Sequence, residues 1–201
     1  MNIYPESLEV LIEFYKKLPG IGEKSAERMA LSTLNLPLED IEKASDDLVY
    51  AKKNLKPCSI CGNLTDQEVC KICSDEDRNK NLICVIEDYK SVFAFEKAGN
   101  YHGVYHVLNG LISPMDNIGA EDINLSSLVK RISLLKNPEL IIALKSSIEG
   151  ETTTLYIKKI FEDKPVVISR LSYGLPLGAE IDYLDMMSLD KALNDRKKIS
   201  D

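Results

Sequence analysis

No long stretch of this 201-residue chain is net basic. Residues 1–57, 58–80 and 81–201 each carry more acids than bases, and the whole chain has a formal charge of -7 with a sequence pI near 5.0. A generic basic nucleic-acid coat is excluded, so any contact with phosphates has to be local. Long apolar runs are missing too. None approaches the roughly 18–20 residues that span a bilayer. The opening Met1-Asn2-Ile3-Tyr4-Pro5-Glu6 lacks a basic flank followed by an apolar stretch, so no membrane partner is expected and the expected location is cytoplasmic. Histidine occurs only as His102 and His106, and nothing at ligand spacing joins either to a metal site; surface and strand positions are expected for them. What is present, 44% apolar and 28% charged residues, suits a globular chain of one or two domains with a buried core.

Four of the five cysteines form Cys58-Ser-Ile-Cys61 and Cys70-Lys-Ile-Cys73, separated by eight residues. Two intervening residues make the tight turn that aims both thiolates of a pair at one metal, and two such pairs close a tetrahedral shell. The spacing predicts one structural zinc ion per chain, with no open coordination position for catalysis. Paired disulfides or a thioredoxin-like redox pair are the competing readings; a reducing compartment and the doubling of the motif favour zinc. Gly62 supplies backbone freedom after the first pair. Cys84, inside Leu82-Ile83-Cys84-Val85-Ile86, reads as a small buried apolar residue.

Ahead of the finger, apolar residues from Leu8 to Tyr15 recur at helical spacing and stop at Leu18-Pro19-Gly20-Ile21-Gly22. Pro19 ends the helix, Gly20 and Gly22 allow conformations closed to other residues, and Ile21 can pin the turn to a core. A second helix from Ser25 to Leu34 sets Ala26, Met29, Ala30 and Thr33 on one face. The result is a helix-hairpin-helix, in which N–H groups at the start of the second helix can hold a DNA phosphate without reading sequence. Lys24 and Arg28 share one face of that helix and Lys16 and Lys17 precede the turn, so Lys16, Lys17, Gly20, Gly22, Lys24 and Arg28 are the candidate DNA-binding residues. Lys52, Lys53 and Lys56 form a second basic cluster. An ordinary helical turn with solvated lysines is the competing reading.

After the finger, strands alternate with helices. Strands are predicted at Leu82–Ile86, Gly103–Leu108, Glu139–Leu144 and Pro165–Ser169, and helices at Tyr89–Ala98, Leu125–Leu135 and Thr152–Phe161. This is a small parallel α/β domain. Ligands gather beyond the carboxyl ends of such strands, where Glu87 and Asp88 fall, with Glu149 and Glu151 in the loop after the third strand. Those acids could hold Mg²⁺ or meet a partner. Lys145, directly behind the third strand, puts a positive charge where a two-metal phosphoryl-transfer site would want a carboxylate, which disfavours catalysis. The connection 108–119 carries Gly, Pro and several apolar residues. Residues 172–185 read as an extended apolar and acidic tail that crosses to a neighbouring subunit or serves as an internal edge strand.

The order of these motifs resembles the RecR family of bacterial recombination proteins over essentially the whole chain. The residues that carry the resemblance are Leu18-Pro-Gly-Ile-Gly-Glu-Lys-Ser-Ala-Glu-Arg-Met29, Cys61-Gly-Asn-Leu-Thr-Asp66, Cys70 to Asp75, Tyr105 to Asp116, Glu149-Gly-Glu151 and the Gly-Leu-Pro-Leu-Gly of 174–178. The resemblance implies a multidomain α+β chain: a helix-hairpin-helix domain at 1–56, a four-cysteine zinc finger at 57–79, a Toprim-like α/β domain at 80–170 and a C-terminal tail with an oligomerisation segment at 171–201. It also implies a non-enzymatic, nucleoid-associated mediator of DNA repair. With RecO, and in some settings RecF, such a protein helps load RecA on single-stranded DNA coated by SSB, as a ring-like tetramer that can clamp DNA. By resemblance Lys24 and Arg28 match DNA-contacting positions, the four cysteines match zinc ligands, and Glu87, Glu149 and Glu151 match Toprim acids near the RecO-binding region. Residues 176–185 are similar to a segment likened to a Walker B strand, without any glycine-rich phosphate loop beside it. The alternative is a Mg²⁺-dependent Toprim enzyme acting on DNA. One departure from the family pattern stands out: Lys145-Ser146-Ser147 replaces an expected Asn-Pro-Thr.

Overall fold

A computed structural model describes residues 4–172, 175 and 178–196. The chain divides into two compact units, Met1–Leu55 and Lys56–Asp201.

The first unit holds α1 (Glu6–Lys16), α2 (Glu23–Thr33) and α3 (Leu38–Asn54). Pro5 and Pro37 stand at the N-caps of α1 and α3, where a missing N–H costs nothing. Ile12, Ala26 and Ala30 make its small core, with Leu8, Leu11, Tyr15 and Ile21 packed around it. The two alanines let α1 and α2 approach closely, and Tyr15 Oη lies 2.6 Å from Thr33 Oγ1. Apolar periodicity does not predict α3. It buries no residue, and Leu38, Leu48 and Tyr50 on it are 70%, 63% and 63% exposed.

The second unit opens with the two-residue strands β1 (Lys56–Pro57) and β2 (Leu64–Thr65), which pair antiparallel, and the single turn α4 (Lys71–Ser74). Then come β3 (Asn79–Ile86), α5 (Tyr89–Ala98), β4 (Gly103–Val107), α6 (Leu125–Ile132), β5 (Glu139–Ala143), α7 (Ile148–Ile160), β6 (Val167–Arg170) and α8 (Met186–Asn194). The four longer strands form a wholly parallel sheet in the order β4-β3-β5-β6, with Cys84 opposite both Tyr105 and Ile141. Alternation along β3 separates two layers. Ile83 and Val85 join Val104, Leu140 and Ile142 beneath α6 and α7, while Cys84 and Ile86 join Tyr105 and Val107 against Val92 of α5. Burial pushes the Cys84 thiol up to about 12, so it is inert.

The predicted parallel α/β domain is therefore present, with shifted boundaries. The fourth strand begins at Val167 rather than Pro165. The third α/β helix begins at Ile148 rather than Thr152, because Ser147 caps it, its Oγ accepting from the Gly150 N–H at 3.2 Å. Glu149 and Glu151 thus sit in the first turn of α7 and not in a loop. Within the expected extended segment of 172–185 a 3₁₀ turn occupies Ile181–Tyr183, and helix α8 follows it; Tyr173, Gly174, Pro176 and Leu177 lie outside the described residues. Among the described residues no helix is long and apolar enough to cross a membrane.

Candidate functional site

The two cysteine pairs are brought together by backbone hydrogen bonds that their own sequences dictate. In the first, the Cys58 N–H donates to Asn63 O at 2.7 Å and the Gly62 N–H to Cys58 O at 2.9 Å, closing a turn in which Gly62 has φ of +75°. That backbone suits glycine, and a Cβ there would also stand 2.8 Å from Asn124 Nδ2. In the second, Cys70 precedes α4, and its N–H donates to Cys58 Sγ at 3.3 Å. All four sulfur atoms are buried and lie within 4.8 Å of one another. Cys61 Sγ and Cys70 Sγ are 3.6 Å apart, close to the roughly 3.8 Å edge of a tetrahedron with Zn–S bonds of about 2.3 Å. Hydrogen bonds from Cys61 and then Cys73 hold the Cys70 thiol far below the ordinary thiol range, while the bond to Cys70 pushes Cys61 up. Four buried sulfurs can all ionise only around a divalent cation, and a soft, closed set of four sulfurs suits zinc. Cys58, Cys61, Cys70 and Cys73 hold a structural Zn²⁺. Its positive charge would fix four thiolates in place and so tie both knuckles together.

The hairpin turn is built as expected at one glycine and not at the other. Gly20 has φ of +79°, and the Ile21 N–H donates to Leu18 O at 3.2 Å. Gly22, at φ -87° and ψ 174°, is extended backbone open to any residue, and nothing lies within 4 Å of a Cβ built there. It is the N-cap of α2 and offers no side chain to the helix. The first helical bond is Ala26 N–H to Gly22 O at 2.9 Å, and the N–H groups ahead of it have no partner inside an α-helix and no side-chain cap here. Lys17, Lys24 and Arg28 are exposed. Lys16 differs: its ammonium lies 2.6 Å from Glu13 Oε1 and 2.8 Å from Glu23 Oε2, and those contacts raise its pKa. Lys52 and Lys53 occupy the last turn of α3, and Lys56 pairs with Glu68 at 3.4 Å.

The Toprim-type acids are each engaged separately. Glu87, one residue past β3, pairs with Lys145 Nζ at 3.2 Å. Asp88 caps α5, accepting from the Lys90 and Ser91 N–H groups at 2.8 and 3.2 Å. A hydrogen bond from Ser147 lowers the Glu149 carboxyl pKa. Glu151 lies 3.7 Å from Arg170 and 3.6 Å from Lys191, a residue of α8. Among the described residues only the four cysteines form a group of three or more ligand atoms close enough for one metal. The glycine between Glu149 and Glu151 has a packing role: a Cβ on Gly150 would stand 2.0 Å from Lys145 O. Gly150→Ala is expected to destabilise the second unit by about 3 kcal/mol, read as a lowered denaturant midpoint.

Two groups were not singled out from sequence. Arg78 grips Glu96 in a fork, Nη1 to Oε1 at 2.9 Å and Nη2 to Oε2 at 2.5 Å, while Tyr105 Oη donates to Glu96 Oε1 at 2.6 Å. Asn124 donates from Nδ2 to Val107 O at 2.9 Å and its carbonyl accepts from His106 Nε2 at 2.8 Å. His106 is a fully buried strand residue, kept neutral by burial that lowers its pKa to about 4.

Four family descriptions match the chain in order: RecR helix-hairpin-helix over residues 8–52, RecR four-cysteine zinc finger domain over 55–75, Toprim domain over 81–172, and RecR C-terminal over 174–197.

Proposed function

Because the chain belongs to the RecR family, we propose that it is a non-enzymatic recombination mediator that binds DNA without regard to sequence and, with RecO and in some settings RecF, promotes RecA loading on SSB-coated single strands. The family's domains support a zinc-finger protein of recombinational DNA repair; the finer steps are the proposal. The observation that carries it is the start of α2, where Gly22 gives no side-chain cap to the first N–H groups and Lys24 and Arg28 are exposed. Lys16, Lys17, Gly20, Gly22, Lys24 and Arg28 remain the proposed DNA contacts, with Lys16 weakened by its two carboxylates. The acids Glu87, Asp88, Glu149 and Glu151 are proposed as a partner-facing region and not a Mg²⁺ centre, since Glu87 and Glu151 pair with cations, Asp88 caps a helix and Glu149 accepts a hydrogen bond from Ser147. The uncovered apolar residues of α3 favour assembly through the helical domain into a ring-like tetramer acting as a DNA clamp. A cytoplasmic, nucleoid-associated location follows from this role.

The test is RecA filament assembly on SSB-coated single-stranded DNA, with purified RecO present. Adding this chain should shorten the lag several-fold, with no nicking, joining or synthesis under Mg²⁺ or Mn²⁺. Unchanged assembly, or divalent-dependent DNA chemistry that vanishes in Glu87→Gln, would overturn the proposal in favour of a Toprim enzyme.

A further inference from the structure

The finger is joined to the sheet through its metal-ligand residues themselves. β4 is an edge strand, and its outer side is not bare: the Val107 N–H donates to the carbonyl of Cys61 at 2.7 Å, while the next N–H, of Leu108, turns inward to Ile86 O at 2.9 Å. The Val107 carbonyl accepts from Asn124 Nδ2 at 2.9 Å, and the Asn124 N–H donates to Leu108 O at 2.7 Å. A ligand residue of the finger and a corner residue of the 108–124 connection thus hold successive peptide units at the end of β4. Gly62, directly after Cys61, lets that corner approach; a Cβ would meet Asn124 Nδ2 at 2.8 Å and Val107 O at 3.0 Å. On the other knuckle, Ile72 lies between Cys70 and Cys73 and packs against the cysteine cluster and against both hydrophobic clusters of the sheet. Lys80 Nζ donates to Cys73 O at 3.0 Å.

Backbone bonds such as the Ser59 N–H to Glu68 O at 3.0 Å and the short β1–β2 pair shape the finger, but its own buried core is small. Its buried cluster consists of the four cysteines, with only Val69 and Ile72 packed against them. A segment of that size without its metal has no core, so the position of Cys61 depends on zinc. Between the finger and the connection lies a cavity of about 430 Å³, walled by Pro57, Cys58 and Ser59 on one side and by Asn109, Asp122 and Asn124 on the other. Both walls have to be in register for the cavity to exist.

We propose that zinc occupancy controls more than the finger: through Cys61 O, Val107 and Asn124 it holds the end of β4 and the two ends of the 108–124 connection, and so assembles the cavity between them. β5, beyond β3 in the sheet, and α7, which meets the connection between its ends through the Ile112 N–H to Thr153 Oγ1 at 2.9 Å, keep their order without the metal.

Hydrogen exchange read by mass spectrometry on the full chain, zinc-loaded and chelator-stripped with zinc measured in both, tests this. Metal removal should accelerate exchange at least tenfold in residues 105–109 and 122–127 and less than twofold in β5 and α7. Acceleration confined to 57–75, or equal acceleration in β5 and α7, overturns the proposal. Asn124→Ala tests the link with zinc in place. It should retain about one zinc per chain, as the wild type does, and still show faster exchange at 105–109 and 122–127. Unchanged protection there would break the chain of contacts on which the proposal rests.

Discussion

Cys70→Ser should lower the melting temperature of the second unit by roughly 10 °C and take the zinc content well below the one ion per chain of the wild type. Serine keeps the size and loses the ligand, because a hydroxyl does not ionise at neutral pH. The backbone N–H of residue 70 can still donate to Cys58 Sγ, so what the substitution removes is the sulfur that lies 3.6 Å from Cys61 Sγ. Structural zinc sites carry apparent binding energies of about 10–16 kcal/mol, and losing one of four ligands forfeits a part of that, about 3–5 kcal/mol. At about 2–4 °C per kcal/mol for a unit of this size, a shift near 10 °C follows. The helical unit of residues 1–55 has its own core of Ile12, Ala26 and Ala30, so its helical signal should be retained. Calorimetry with metal analysis measures both. An unchanged melt with zinc retained would mean that the cysteines do not bear the structural load assigned to them.

The parts legible in the sequence are those whose signals are short in range. Cysteine spacing gave the metal site because the knuckle turns need only residues 58–63 and 70–74. The apolar runs of β3 and β5 gave a buried parallel sheet because both faces of those strands are covered. The less legible parts depend on pairs far apart in the chain. Glu87 looked like an open acid until Lys145 was placed against it, and Glu151 until α8 brought Lys191 to it. Lys16 counted as one more base of the hairpin, yet Glu13 and Glu23 close on it from either side of the turn. Helix α3 carries only end signals: Pro37 ahead of it, Glu39 and Asp40 in its first turn, Lys52 and Lys53 in its last. None of its residues is buried within the described chain, so it carries no buried apolar stripe of the kind that marks α6.

The pair Lys24→Ala, Arg28→Ala should weaken binding to unrelated DNA sequences alike and flatten the dependence of affinity on salt. Each phosphate contact on duplex DNA adds about -0.9 to the slope of log affinity against log salt. Between 50 and 200 mM salt, two contacts therefore account for roughly a tenfold share of the affinity lost, for each subunit engaged. The double variant should be that much less salt-sensitive, and several subunits facing one DNA would multiply the effect. Both side chains are exposed, so the fold should change by less than about 0.5 kcal/mol. Lys16→Ala provides the internal comparison. Its ammonium already lies against Glu13 and Glu23, so it has little charge to give a phosphate, and its loss should move the slope less than either exposed base. Fluorescence anisotropy with single-stranded and duplex oligonucleotides at several salt concentrations reads all three variants. Equal slopes for the double variant and the wild type would remove the hairpin from the DNA interface. On a chain of net charge -7, such a result would leave no other cluster of exposed bases at a helix start to replace it among the residues singled out from the sequence.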